Sequence, residues 1–187
     1  MKSCIAYLTL ALAVVFSGFS PLYAQNTPSQ KKLLVVYFSK TGNTKKLAMA
    51  IQKQTGADMV EIVPVVLYPD DYDQTVDIAR KEQDDNARPA VKTKVDTMAS
   101  YNVVFLGYPS WWGTMPMAVF TFLEAHNLSG KTIIPFTTHE GSGFGRSISD
   151  LRRLCPKSTI LDGLAIRGRD ADTAETEVPI WLQGLKY

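Results

Sequence analysis

Two apolar runs of strand length and β-branched or aromatic character stand out in this chain, Leu33-Leu-Val-Val-Tyr-Phe38 and Val103-Val-Phe-Leu106. A strand with one wet face alternates apolar and polar residues, whereas a solid run has both faces covered. Helices must therefore lie above and below these strands. The intervening sequence supplies them: Lys45-Lys-Leu-Ala-Met-Ala-Ile51 has helical spacing, and Pro116 opens a segment carrying Met117, Phe120 and Leu123 that stops at Leu128-Ser-Gly130. Further strands are expected at Met59–Val63, near a sheet edge, at Lys131–Phe136 and near Thr159–Ile166. Further helices are expected at Arg146–Leu154 and Thr173–Leu185. Tyr72–Asn86 is acidic and helix-compatible, with Tyr72, Val76, Ile78 and Ala79 available for one face, and ends at Arg88-Pro89. An ordinary solvated helix is the favoured reading of this acidic connection, with cover for the crevice or a subunit contact as the alternatives. Strands alternating with helices give an α/β fold with a parallel sheet and right-handed crossovers.

The chain has 187 residues, 45% hydrophobic and 20% charged, enough for one domain with a full core. Its start is set apart. Met1 and Lys2 precede an apolar run from Ile5 to Phe19 that leads to Pro21-Leu-Tyr-Ala24, the layout of a secretory signal peptide. The run is short against the roughly 20 residues of a membrane-spanning helix. Residues 1–24 are thus expected to be a leader, 25–32 a polar lead-in and 33–187 the folded domain, exported and, in a bacterium, periplasmic, with no stable membrane span once the leader is cleaved. Lys2 is the only charged residue of the leader, so the mature chain would carry 19 basic against 18 acidic side chains. That balance argues against a nucleic-acid partner. Cys155 alone would remain of the two cysteines, which excludes an intrachain disulfide and any cysteine-rich metal site.

The unusual residues gather in loops that a parallel sheet brings to one edge. After the first strand, Ser39-Lys-Thr-Gly-Asn-Thr44 combines hydroxyls with a glycine ahead of a helix start, an arrangement suited to phosphate. After the third comes Tyr108-Pro-Ser-Trp-Trp-Gly-Thr114, in which one indole is expected to cap the core and the other to serve a flat aromatic ligand. After the fourth comes Thr137-Thr-His-Glu-Gly-Ser-Gly-Phe-Gly145. The spacing of Gly141, Gly143 and Gly145 is not that of a dinucleotide fingerprint; no Gly-Lys-Ser/Thr closes a nucleotide phosphate loop, and Ser142 lacks the setting of a hydrolase nucleophile. His126 reads as structural, His139 as a hydrogen-bonding or proton-transfer candidate.

With Tyr37–Thr44, Gly107–Gly113 and Thr138–Gly145 taken together, the chain resembles the flavodoxin family, in its exported bacterial form, over about Leu33 to Leu185. The resemblance implies a three-layer flavodoxin-like fold: a five-stranded parallel sheet of order 2-1-3-4-5 with helices on both faces. It implies flavin mononucleotide (FMN) as cofactor. Ser39, Thr41, Gly42, Asn43 and Thr44 would take its phosphate, with Lys40 adding backbone or charge. Pro109, Ser110, Trp111, Trp112 and Gly113 would line one side of the ring, and Thr138, His139, Glu140, Gly141, Ser142 and Gly143 the other. No catalytic residue and no metal ligand is implied. The expected function is electron transfer with a redox partner protein or small acceptor. Two alternatives share the fold: an FMN-dependent NAD(P)H reductase of quinone-like or nitroaromatic acceptors, and a non-redox flavin-binding module. The near-neutral charge departs from the strongly acidic surface typical of the family.

Overall fold

The computed structural model describes residues 31–187. The expected leader and most of the lead-in lie outside them. The elements are β1 (Leu33–Tyr37), α1 (Asn43–Thr55), β2 (Asp58–Glu61), α2 (Tyr72–Asp84), β3 (Val103–Pro109), α3 (Met117–Ala125), β4 (Thr132–His139), α4 (Ser147–Leu154), β5 (Thr159–Ile160), β6 (Leu164–Arg167) and α5 (Ala174–Gln183). Short 3-10 turns precede β3 and α5. All strand pairs are parallel, in the order β2-β1-β3-β4-β5, and β6 also pairs with β4.

The period-two rule divides the two solid runs between two cores. Leu34, Val36, Phe38, Val104, Leu106 and Tyr108 pack on one face of the sheet with α3 and Leu151 of α4. Val35, Tyr37, Val103 and Phe105 pack on the other, against Leu47, Ala48 and Ile51 of α1 and Val178 of α5. Six of the nine residues of α3 are buried, which fits its short, almost wholly apolar sequence. No side chain of α2 belongs to either core.

The single strand expected over Thr159–Ile166 is instead two pieces, β5 and β6, both paired with β4 but one residue out of step with each other, and Pro135 lies at the break. Thr132 N–H bonds to Asn102 O on the β3 side, and Leu161 N–H reaches Ile133 O from the β5 side. Alternation then turns the backbone of Pro135 toward β5, where a proline offers no donor. The ladder skips that rung and resumes when Leu164 comes opposite Phe136.

Among the described residues, no helix is long and apolar enough to cross a membrane. The loops after β1, β3, β4 and β6 all open at the carboxyl edge of the sheet. Chain order reverses between β1 and β3, the usual place for a crevice in an open α/β sheet.

Candidate functional site

At that edge lies a cleft of about 380 Å³. Its floor begins with the turn after β1. Ser39 Oγ accepts hydrogen bonds from the N–H groups of Gly42 (3.1 Å) and Lys45 (3.2 Å), which folds the segment into a tight hook. The helical ladder of α1 then starts with Lys46 N–H to Gly42 O, so the N–H groups of Asn43 and Thr44 precede it and have no partner within the helix. No acidic residue sits in the first turn of α1. Thr44 and Thr138 are 1% and 4% exposed, and their hydroxyls share a hydrogen bond of 2.8 Å across the cleft floor. Thr41, Asn43 and Lys40 complete this end; Lys40 is also ion-paired with Asp70 at 3.2 Å.

The second wall is the tryptophan loop. Trp111 and Thr114 exchange both backbone hydrogen bonds, at 2.8 and 3.0 Å, around Trp112 (φ 48°) and Gly113 (φ 76°). Two positive φ values in a two-residue hairpin make a type I′ turn, and tryptophan is an uncommon occupant of that region. The two indoles divide their roles. Trp111 packs edge-on against Phe38 (5.4 Å) and Tyr68 (5.0 Å) over the core. Trp112 is 45% exposed, donates its Nε1–H to Val76 O of α2 at 3.1 Å, and carries the Arg80 guanidinium 4.6 Å from its ring centre.

The third wall is the glycine loop, which is bound to the second. Ser110 N–H donates to Thr138 O, the Ser110 and Ser142 hydroxyls meet at 2.9 Å, and Arg146 N–H donates to Gly113 O at 2.8 Å. Gly145, at φ 52°, presses on the Gly113 carbonyl so closely that a Cβ there would overlap it. Beneath them Thr114 donates to Asp150 at 2.7 Å, and the buried Tyr108 hydroxyl meets Ser147 at 2.9 Å. Burial holds the Tyr108 phenol far above its ordinary titration range. His139 lines the cleft, and its Nδ1 accepts from Gly141 N–H at 2.9 Å. In the neutral ring that leaves Nε2 as the donor.

Of the residues expected from sequence, Lys40, Thr41, Asn43, Thr44, Pro109, Ser110, Trp111, Trp112, Thr138, His139 and Glu140 line the cleft together. Ser39, Gly42, Gly113, Gly141, Ser142 and Gly143 do not line it; they shape the three loops. Glu140 lies beside Asn43 and Gly168, at the α1 end of the cleft. Five lining residues were missed. Gly168, after β6, comes close enough to Glu140 and Asn43 that a Cβ would crowd both. Tyr72, Thr75, Val76 and Ala79 come from α2, which is a cleft wall and not the ordinary solvated helix its acidity suggested. The signal was present in the i, i+3, i+4, i+7 spacing of those four residues.

Elsewhere the structural reading of His126 holds. His126 donates from Nδ1 to Phe122 O and accepts at Nε2 from Val95 N–H, a structural role. It borders a larger groove of about 760 Å³ at the opposite edge of the sheet, where the Lys131 ammonium is likewise bound to the Tyr101 carbonyl. Cys155 is buried in the core, and burial pushes its thiol up to about 11. That leaves it without thiolate reactivity. The described residues contain no cluster of three or more metal-ligating side chains.

The flavodoxin family model matches residues 32–185. The chain belongs to the flavodoxin family. Among solved structures, this flavodoxin-family chain is similar to a flavoprotein of Bacteroides eggerthii DSM 20697, with 35% identity over 83% of this chain and 99% of that one, at a TM-score of 0.73. A flavoprotein of Bacteroides uniformis ATCC 8492 shares 29% identity over 82% and 98%, at 0.72. A flavoprotein from Lactobacillus acidophilus NCFM, solved in complex with FMN, shares the fold at 23% identity over 78% and 99%, with a TM-score of 0.64. No curated protein sequence matches this flavodoxin-family chain.

Proposed function

We propose that this protein binds FMN in the β1/β3 cleft and transfers electrons in the bacterial envelope, reached through the leader-like segment 1–24. The observation that carries the cofactor is the pairing of chemistries at the two ends of one cleft. At one end are the N–H groups of Asn43 and Thr44, which have no partner within the helix, and the hydroxyl of Thr41, with no carboxylate in the first turn of α1. At the other are the broad apolar surfaces of Trp111, Trp112 and Tyr72. A phosphate dianion suits the first and a flat aromatic ring the second. FMN when bound would supply the redox chemistry, on its isoalloxazine ring.

The chain's own contributions follow from the geometry. Ser39 holds the hook that aims the Asn43 and Thr44 N–H groups; Lys40 adds positive charge, partly offset by Asp70. Trp111, braced by Phe38 and Tyr68, excludes water from the ring end. His139 Nε2–H offers a donor to a carbonyl or ring nitrogen. The hydrogen bonds between the Trp and Gly loops keep these groups in register.

A partner protein as electron donor or acceptor is favoured by the surface around the cleft. Eight large apolar side chains are exposed among the described residues; six of them, Val65, Val66, Leu67, Tyr72, Ile78 and Trp112, lie on the approach to α2, on α2 itself or on the turn that touches it. Such clustering is a mark of a binding surface. Residues 70–85 also carry seven acids against two bases, so the near-neutral total conceals a local acidic region. It would steer a basic partner.

An absorption spectrum of the purified mature protein, with and without added FMN, tests the cofactor. A flavin spectrum, or quenching of FMN fluorescence at micromolar protein, is the expected result; a colourless protein that leaves FMN fluorescence unchanged would refute it. Steady-state turnover of NAD(P)H with a quinone and no protein partner would replace the carrier reading with the reductase one.

A further inference from the structure

We propose that α2 is a movable wall of the cleft and that Trp112 is the positioning residue that latches it shut. For its ligand the inference rests on the cofactor reading above. Only Thr75 and Ala79 of the thirteen residues of α2 are buried, and both line the cleft. The helix thus spends its one buried face on the cleft and contributes no side chain to either core. The segments that flank it, 62–71 and 85–102, are irregular apart from one 3-10 turn and an antiparallel bridge between Pro64 and Val91 that joins them. Elements with few buried apolar contacts open at low free-energy cost.

What holds α2 in place is correspondingly specific. Tyr68 donates to Glu82 at 2.7 Å near its carboxyl end. At the cleft, the attachment is Trp112, through Nε1–H to Val76 O and through the Arg80 guanidinium over its ring. Trp112 can serve as a fixed arm because its turn is anchored on the opposite side. Gly113 O is held by Arg146 N–H, and the Trp111–Thr114 pair closes the hairpin. A tryptophan kept at positive φ, in a turn where Asn or Gly is the usual residue, is accounted for by this reach across the cleft.

The latch is tested by amide hydrogen exchange and FMN dissociation in Trp112→Phe, which keeps an aromatic ring and removes the donor. Exchange across residues 73–84 of the flavin-free protein should rise about five-fold, the factor a single net hydrogen bond implies, with β1, β3 and α3 unchanged. FMN should leave faster by a similar factor. Arg80 does not itself line the cleft, and Arg80→Gln, which removes the guanidinium from the Trp112 ring, should move both readouts the same way, by about two-fold to five-fold. It keeps the latch testable should Trp112→Phe not fold. Unchanged α2 exchange in both variants, or faster exchange with unaltered FMN release, would overturn the proposal. If the wild type binds no FMN, the cofactor reading fails, and α2 exchange alone judges the latch.

Discussion

The two sides of the cleft are built differently. On the β3/β4 side, the Trp and Gly loops interlock through Ser110, Ser142, Gly113 and Arg146, and are seated on buried Thr137, Tyr108 and Ser147. On the α2 side, two buried residues and a few polar contacts carry a thirteen-residue helix. Both sides touch the same space, but only one is continuous with the core. A rigid half can set the environment of a ring while a thin half admits it and meets a partner.

The largest test of this contrast falls on the rigid half. Gly145→Ala places a Cβ against the Gly113 carbonyl at a positive φ, and should cost about 2–4 kcal/mol, read as a fall in the denaturation midpoint together with weakened FMN binding. Tolerance of alanine there would mean that the loops are not interlocked. Next is Thr44→Val, which leaves the buried Thr138 hydroxyl without its partner across the cleft floor. A loss of about 1–3 kcal/mol is expected by urea titration, with weaker FMN binding beside it.

Smaller effects belong to the thin half. Arg88 forms a two-pronged pair with Glu124 at 2.7 and 2.8 Å, tying the segment after α2 to α3. The pair is part-exposed, so Arg88→Gln should cost under about 1 kcal/mol. Hydrogen bonding to Arg88 holds the Glu124 carboxyl below its usual range, so its share of stability is present above the ordinary carboxylate pKa and lost as pH falls through the lowered value. The variant should flatten the acid limb of a stability profile; an unchanged limb would remove the pair from the account.

Glu82 runs the other way. Burial raises its carboxyl, and the Tyr68 hydrogen bond only partly offsets that. Its contribution is fullest below the ordinary carboxylate pKa, about 4.3, and declines as pH climbs through the raised value. Glu82→Gln keeps an acceptor for Tyr68 and removes the titration, so intrinsic-rate-corrected exchange of α2 should lose its pH dependence in that window. This is the smallest expected change. An undiminished pH dependence in the variant would assign it to another group.

How much was legible in the sequence follows the same division. The rigid half was readable because its signals are local: glycines on alternate positions, a Trp-Trp-Gly turn, hydroxyls before a helix. The loops were placed at one edge once the strands were recognised as parallel. The thin half was misread because its spacing and its acidity pointed in different directions. Tyr72, Thr75, Val76 and Ala79 do form a helical stripe, but nothing in a single segment says whether a stripe faces a core, a cleft or water.

The sequence by itself determined the α/β class, since unbroken apolar strands need cover on both faces, and it determined the residues of three cleft loops. Tertiary structure decided what depends on distant partners. Pro135 matters at the break in the last strand only because its donorless nitrogen faces that neighbour, and Gly168 matters only because Glu140 and Asn43 lie against it. Which tryptophan caps the core was likewise decided there: Trp111 meets Phe38 and Tyr68, while Trp112 meets a carbonyl and a guanidinium of α2. Identical side chains one residue apart take opposite roles because a type I′ turn points them at different neighbours.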